Sequence, residues 1–233
     1  MLREIDQDIW VAEQPLRYFG LSVGSRMTVI RLSNDELVVI SPIQASDSLI
    51  QKLSELGHVR HIIAPNLYHY LFAAEFKQRY SVAKFWAASG LDSKQPELAI
   101  DQIIEGDTRN LWPGLDCLPF SGFRTLSLSG FESLNEYVFF HRSSRTLILT
   151  DAAFNFDEEF PMATRLVTQV IGGYKSLSPS LLEKIATTDK AAVRQSVKQI
   201  LTWNFERVIM AHGSIVAQGG KEKFKQGYGR FLD

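Results

Sequence analysis

The 233-residue chain has one cysteine, Cys117, so it can form no internal disulfide and no multi-cysteine zinc site. Long apolar runs are missing too. No stretch approaches the roughly 18 residues that a membrane-spanning helix needs. The first residues, MLREIDQDIW, carry charges where a signal peptide would place its apolar core. Neither sign of charge is in excess: 25 Lys and Arg stand against 26 Asp and Glu, a formal net charge of −1. Nucleic acids and anionic membranes usually meet a basic surface, so neither is expected as a partner. Glycine-rich phosphate loops are absent, because Gly172-Gly173 and Gly219-Gly220 lack both the spacing and the strand-before-helix setting. The G-x-S-x-G elbow of serine hydrolases is absent as well. The expectation is a soluble cytoplasmic protein with a single domain over residues 1–233.

What is present is strand and helix patterning in blocks. DIWVAEQ and RMTVIRLSNDELVVISPI hold β-branched runs, with Asn34-Asp35 as a hairpin turn. SDSLIQKLSELG carries Leu49, Leu53 and Leu56 at helical spacing, with Ser46 as N-cap and Gly57 as stop. VRHIIAP reads as a strand, residues 68–80 as a helix and AKFWAA as another strand. The middle of the chain is β-rich: ELAIDQII, LDCLPF, RTLSLS, EYVFFH and TLILTDAAF are separated by Gly, Ser and Pro. Helical spacing returns in EEFPMATRLVTQVIGG and DKAAVRQSVKQILTW. A last strand, RVIMAHG, precedes a short charged helix. This order suggests two sheets with outer helices. Cys117, Trp86 and Trp112 fit the core, and His58, His61 and His141 fit structural or exposed positions.

Polar residues at strand exits carry the chemistry. Asp151 ends TLILTD, His212 ends RVIMAHG, and His69 follows HIIAPN. An apolar strand that releases one Asp or His at its end presents that group from a rigid edge. Taken singly, each also fits a cap or a satisfied junction residue.

RMTVIRLSNDELVVISPI, APNLYHYLF and VFFHRSSRTLILTD, with VIMAHG near the end, resemble the metallo-β-lactamase superfamily. More narrowly they resemble an uncharacterised bacterial branch of it, a domain of unknown function. The resemblance covers about residues 9–212 and implies an α/β fold, a four-layer αββα sandwich with a metal site at one sheet edge. The superfamily's His-X-His-X-Asp-His loop then falls on Pro65 to Tyr70. Pro65 and Leu67 stand at the first two histidines, His69 at the Asp and Tyr70 at the last His. A slip of one residue would instead put Tyr68 at the Asp and His69 at the last His. The later His falls near Phe131, while the bridging Asp and final His are kept as Asp151 and His212. The first metal site thus loses all its ligands. The second would hold His69, Asp151 and His212, with Tyr70 beside them, a donor set that suits one zinc or iron ion.

Two readings follow. One is a pseudoenzyme or small-ligand binding module without metal, in which Asp151 and His212 satisfy each other. The other is a single-metal hydrolase with a metal-activated water. Either way Asp151 and His212 are the residues expected to act, and Asn66, Arg26 and Asn155 are expected to line the ligand pocket. The ligand is a small molecule of unspecified class, and a homo-oligomer stays open.

Overall fold

The computed structural model of the chain describes residues 2–106, 111–127 and 130–232. The chain opens with strands β1 (Arg3–Asp6), β2 (Ile9–Gln14), the short pair β3 (Arg17–Tyr18) and β4 (Leu21–Ser22), β5 (Ser25–Arg31) and β6 (Glu36–Ile40). Helix α1 (Asp47–Leu56), β7 (His58–Ala64), α2 (Ala73–Arg79), β8 (Lys84–Ala88), α3 (Leu91–Lys94) and β9 (Gln102–Ile104) complete the first half. The second half holds β10 (Leu115–Phe120), β11 (Arg124–Ser127), β12 (Gly130–Ser133), β13 (Glu136–His141) and β14 (Thr146–Ile148). Helices α4 (Met162–Ile171), α5 (Leu181–Ala186) and α6 (Lys190–Ile200) follow, then β15 (Arg207–Ile209), α7 (Gly220–Gly227) and α8 (Gly229–Leu232).

The strands build a seven-stranded sheet, β1-β2-β5-β6-β7-β8-β9, and a four-stranded sheet, β10-β13-β14-β15. Side-chain alternation explains why they stack. Val38 and Ile40 of β6 and Ile63 of β7 face Tyr137 and Phe139 of β13 and Ile148 of β14, in the core between the sheets. Leu37 and Val39 face the other way, toward Leu49 and Leu53 of α1 and Phe76 of α2. On the far side of the second sheet, Val138 and Phe140 meet Val193, Val197 and Ile200 of α6. The result is helix, sheet, sheet, helix. Cys117 is fully buried between the sheets.

Ser46 caps α1 by accepting the Leu49 N–H, and Gly57 ends the helix, as their residue types require. The expected helix over 68–80 is shorter. It begins only at Ala73, because the Asn66 side chain takes the Tyr68 and His69 N–H groups into a turn first. The last strand is also shorter than RVIMAHG. Met210 and Gly213 leave the sheet because their carbonyls accept from the Arg26 guanidinium instead. Of the expected strand RTLSLS, residues 128 and 129 lie outside the described residues.

Two of the parallel pairs, β6 with β7 in the first sheet and β14 with β15 in the second, run out toward one end of the sandwich. The antiparallel β13 begins at that same end, paired with β14. Open α/β sheets place ligands at such strand exits.

Candidate metal centre

Four strand exits deliver the residues. Ser41 leaves β6, Asn66 and His69 follow β7, Asp151 follows β14, and His212 follows β15. His69 Nε2 stands 3.3 Å from Asp151 Oδ2, His212 Nε2 stands 3.3 Å from Asp151 Oδ1, and the two Nε2 atoms are 3.2 Å apart. Donor atoms held tetrahedrally at about 2.0–2.1 Å from an ion stand roughly 3.3–3.4 Å from one another. The three edges therefore match one face of such a site. The side chains are 11, 14 and 11 % exposed, so the group is sheltered yet open to a small ligand.

The neighbours fix each donor. His212 Nδ1 donates to the Gly24 carbonyl at 2.5 Å, so in the neutral ring the Nε2 lone pair faces Asp151 and His69. A lone pair turned toward a carboxylate is stable only with a proton or a cation between them. His69 Nδ1 shares a 2.6 Å hydrogen bond with Ser41 Oγ. Ser41 itself sits at a positive φ of 55°, a backbone state uncommon outside glycine and asparagine.

Under Asp151 lies a buried polar layer. Asn66, fully buried, accepts the Tyr68 and His69 N–H groups at 2.9 Å each and donates to Asp151 Oδ2 at 2.8 Å. It also donates to Glu136 Oε2 at 3.3 Å. Glu136 accepts the backbone N–H groups of Thr150, Asp151 and Ala152 at 2.8, 2.7 and 3.1 Å. One carboxylate thus pins the turn that aims Asp151, and one amide ties that turn to the His69 loop.

Charges follow the same geometry. Burial works to raise the Asp151 carboxyl, but the His69 charge and the hydrogen bonds from both histidines hold it well below the usual carboxylate range. For His212, burial disfavours the charged ring, yet the Asp151 carboxylate outweighs it and the pKa is raised. Burial, with the Asp151 charge, pushes Glu136 up to about 8 against the pull of its N–H donors.

His69, Asp151 and His212 converge, and all their donor atoms lie within 4.8 Å of one another. Tyr70 does not join them: its hydroxyl accepts from Gln95 Nε2 at 2.8 Å, and its ring packs on the core outside the first sheet. Asn66 is sealed beneath the site rather than facing a ligand. Arg26 is 8 % exposed, its guanidinium donating to Glu13 Oε1 and Gly213 O at 2.7 Å each and to the Met210 carbonyl. It braces the segment that carries His212 and also lines a cavity with Gly24, Ala211 and Gly213. Asn155 is likewise a tie, donating to the Ser214 carbonyl at 3.1 Å. Its own carbonyl lies so close to Gly213, at φ 83°, that a Cβ there would sit 2.3 Å from the Asn155 oxygen. Of the other positions that the resemblance matches to ligands, Leu67 packs on the outer core and Phe131 is 43 % exposed on β12.

Glu136 and Ser41 were missed by sequence reasoning. Both had a signal: Ser41 is a polar strand exit like Asp151, and Glu136 is a lone acid opening the apolar strand EYVFFH.

Comparison with known proteins identifies the fold. The chain is similar to a metallo-β-lactamase from Pontibacter korlensis, with a TM-score of 0.65 and 11 % identity over 100 % of this chain and 99 % of that one. It is also similar to the metallo-β-lactamase FIM-1 from Pseudomonas aeruginosa in its mono-zinc form, with a TM-score of 0.64 and 12 % identity over 100 % and 96 %. The flavodiiron core Flv1 from Synechocystis sp. PCC6803, solved after metal soaking, gives 0.64 and 13 % over 100 % of this chain and 60 % of that one. No curated protein sequence matches the chain. Residues 6–172 match the family described as domain of unknown function DUF4336, and the chain belongs to that family, built on the metallo-β-lactamase fold.

Proposed function

We propose that the protein is a single-metal hydrolase-type centre, holding one divalent zinc or iron ion through His69 Nε2, Asp151 and His212 Nε2. The observation that carries this reading is the His212 tautomer. Its Nδ1 donates to Gly24, so in the neutral ring the Nε2 lone pair is aimed at the point that His69 and Asp151 also face. When bound, such an ion supplies Lewis acidity and makes water a nucleophile near neutral pH. The chain's own residues do the rest. Ser41 and Gly24 orient the two imidazoles, Asn66 joins the His69 turn to Asp151, and Glu136 holds the Asp151 turn in place. The Phe154 ring, 6.4 Å from that of His212, forms an apolar wall beside the donors. With Pro65, Leu67 and Phe131 at the other ligand positions, a second ion finds no donors at those places.

A second reading has one observation behind it. Asp151 and the raised His212 also form an ion pair that needs no metal, which suits a pseudoenzyme or small-ligand binding module. Elemental analysis of untagged protein purified without added metal separates the two. The metal reading expects about one equivalent of zinc or iron, lost in His212→Ala. Protein that stays metal-free even after incubation with zinc and iron, and melts at the same temperature with and without them, belongs to the second reading.

A further inference from the structure

Helix α4 is amphipathic the wrong way round. Its buried residues are Thr164 and Thr168, and the Thr164 hydroxyl donates to the Ser22 carbonyl of β4 at 3.0 Å. Three of its large apolar residues face outward instead. Met162, Leu166 and Val170 recur every four positions and are 70, 56 and 79 % exposed, a stripe about 12 Å long on one helix face.

The stripe has neighbours of the same kind. Gly172, which ends α4, stacks against Ser178, Pro179 and Ser180 at the start of α5. On α5, Leu181 and Ile185 are 41 and 64 % exposed. The tip of the β3–β4 hairpin carries Tyr18 and Phe19, 51 and 62 % exposed, and Tyr18 lies within reach of Asp151 on one side and of Glu183 on α5 on the other. Most of the large apolar side chains exposed among the described residues thus gather on three adjoining elements. Patches of this kind mark a surface that meets something.

Charge says what it meets. Along α4 and α5 every charged side chain that reaches solvent is a cation, Arg165 and Lys184, because the one carboxylate, Glu183, is buried in the α5 cap. Arg230 of α8 adds a third cation close to Lys184. The acidic run before α4 has cations of its own beside it: Glu158 pairs with Lys175, while Asp157 and Glu159 line a cavity with Arg3 and Arg26. The net charge of −1 averages over the whole chain and does not show this local excess on α4 and α5. Two copies pairing symmetrically across the face would set Arg165 and Lys184 against their own kind, which disfavours a self-interface.

We propose that the α4, α5 and β3–β4 face docks on the surface of a lipid bilayer that contains anionic lipids, with the apolar side chains in the headgroup boundary and the cations at the phosphates. The inference stands apart from the metal reading and needs no metal.

Flotation of the whole protein with phosphatidylcholine vesicles, with and without phosphatidylserine, tests it. Binding is expected to the phosphatidylserine vesicles and to weaken as salt rises. The double variant Leu166→Asp with Val170→Asp should bind at least about tenfold more weakly. Both positions are exposed, so its thermal melt should match the wild type. Lys184→Gln, which leaves the apolar stripe intact, should lower binding to the anionic vesicles alone. Equal flotation of wild type and double variant, or no flotation with either vesicle at low salt, overturns the proposal. So does light scattering that shows a dimer which the double variant dissolves.

Discussion

Asn66→Asp changes one group and nothing of the shape, so it isolates what the amide contributes. Asn66 Oδ1 accepts two backbone N–H groups at 2.9 Å, which obliges Nδ2 to face Asp151 Oδ2 at 2.8 Å and Glu136 Oε2 at 3.3 Å. The variant keeps the acceptor and turns the donor into a carboxylate oxygen pressed against the Asp151 carboxylate and beside the Glu136 carboxyl. Unit charges at that separation repel by about 6 kcal/mol even at an effective dielectric constant near 20, so the new carboxyl retains a proton. Holding that proton at pH 7, about 3 units above the intrinsic pKa, costs roughly 4 kcal/mol. The folded-state pKa of the new group is raised above its unfolded value. The variant should therefore match the wild type near pH 4 and lose stability as pH rises toward neutrality. For a chain of this size the neutral-pH loss corresponds to a Tm lower by roughly 8–16 °C. Urea denaturation at about pH 4.5 and 7.5 reads it. A variant within about 0.5 kcal/mol of wild type at the higher pH would mean that the amide does not face Asp151, and the polar layer described beneath it would be wrong.

Other outcomes follow from the same site. The raised His212 pKa gives metal-free protein a stabilising contribution that is full below the unfolded value near 6.5 and lost as pH rises through the folded one. A bound ion competes with that proton, so the Tm gain on adding zinc should grow from about pH 6 to about pH 8. A gain that shrinks over that range would remove His212 from the ligand set. Gly213→Ala forces a Cβ to 2.3 Å from the Asn155 oxygen at a positive φ and should cost about 2–4 kcal/mol in denaturation. A neutral result would mean that the two loops are not in contact. Tyr70→Phe should leave zinc affinity unchanged within about twofold by calorimetry, because the hydroxyl serves Gln95. A larger fall would return Tyr70 to the site.

The layered fold was legible because each apolar period states which face is buried. Val38 and Ile40 must point away from Leu37 and Val39, and Leu49 and Leu53 must share one side of α1. Asp151 and His212 were legible for a related reason, as polar residues released at the ends of apolar strands. The partners of those residues were not. Arg26 could have faced a ligand as easily as two carbonyls, and Tyr70 could have turned to the metal as easily as to Gln95. The choice depends on residues 25 to 187 positions away, which local pattern does not encode. Side-chain period by itself determined the sandwich and the end of it that carries polar groups. Only the tertiary structure decided which of those groups meet, because hydrogen-bond partners such as Glu136, which opens β13, and Gly24, just before β5, come from distant parts of the chain that sheet register brings together.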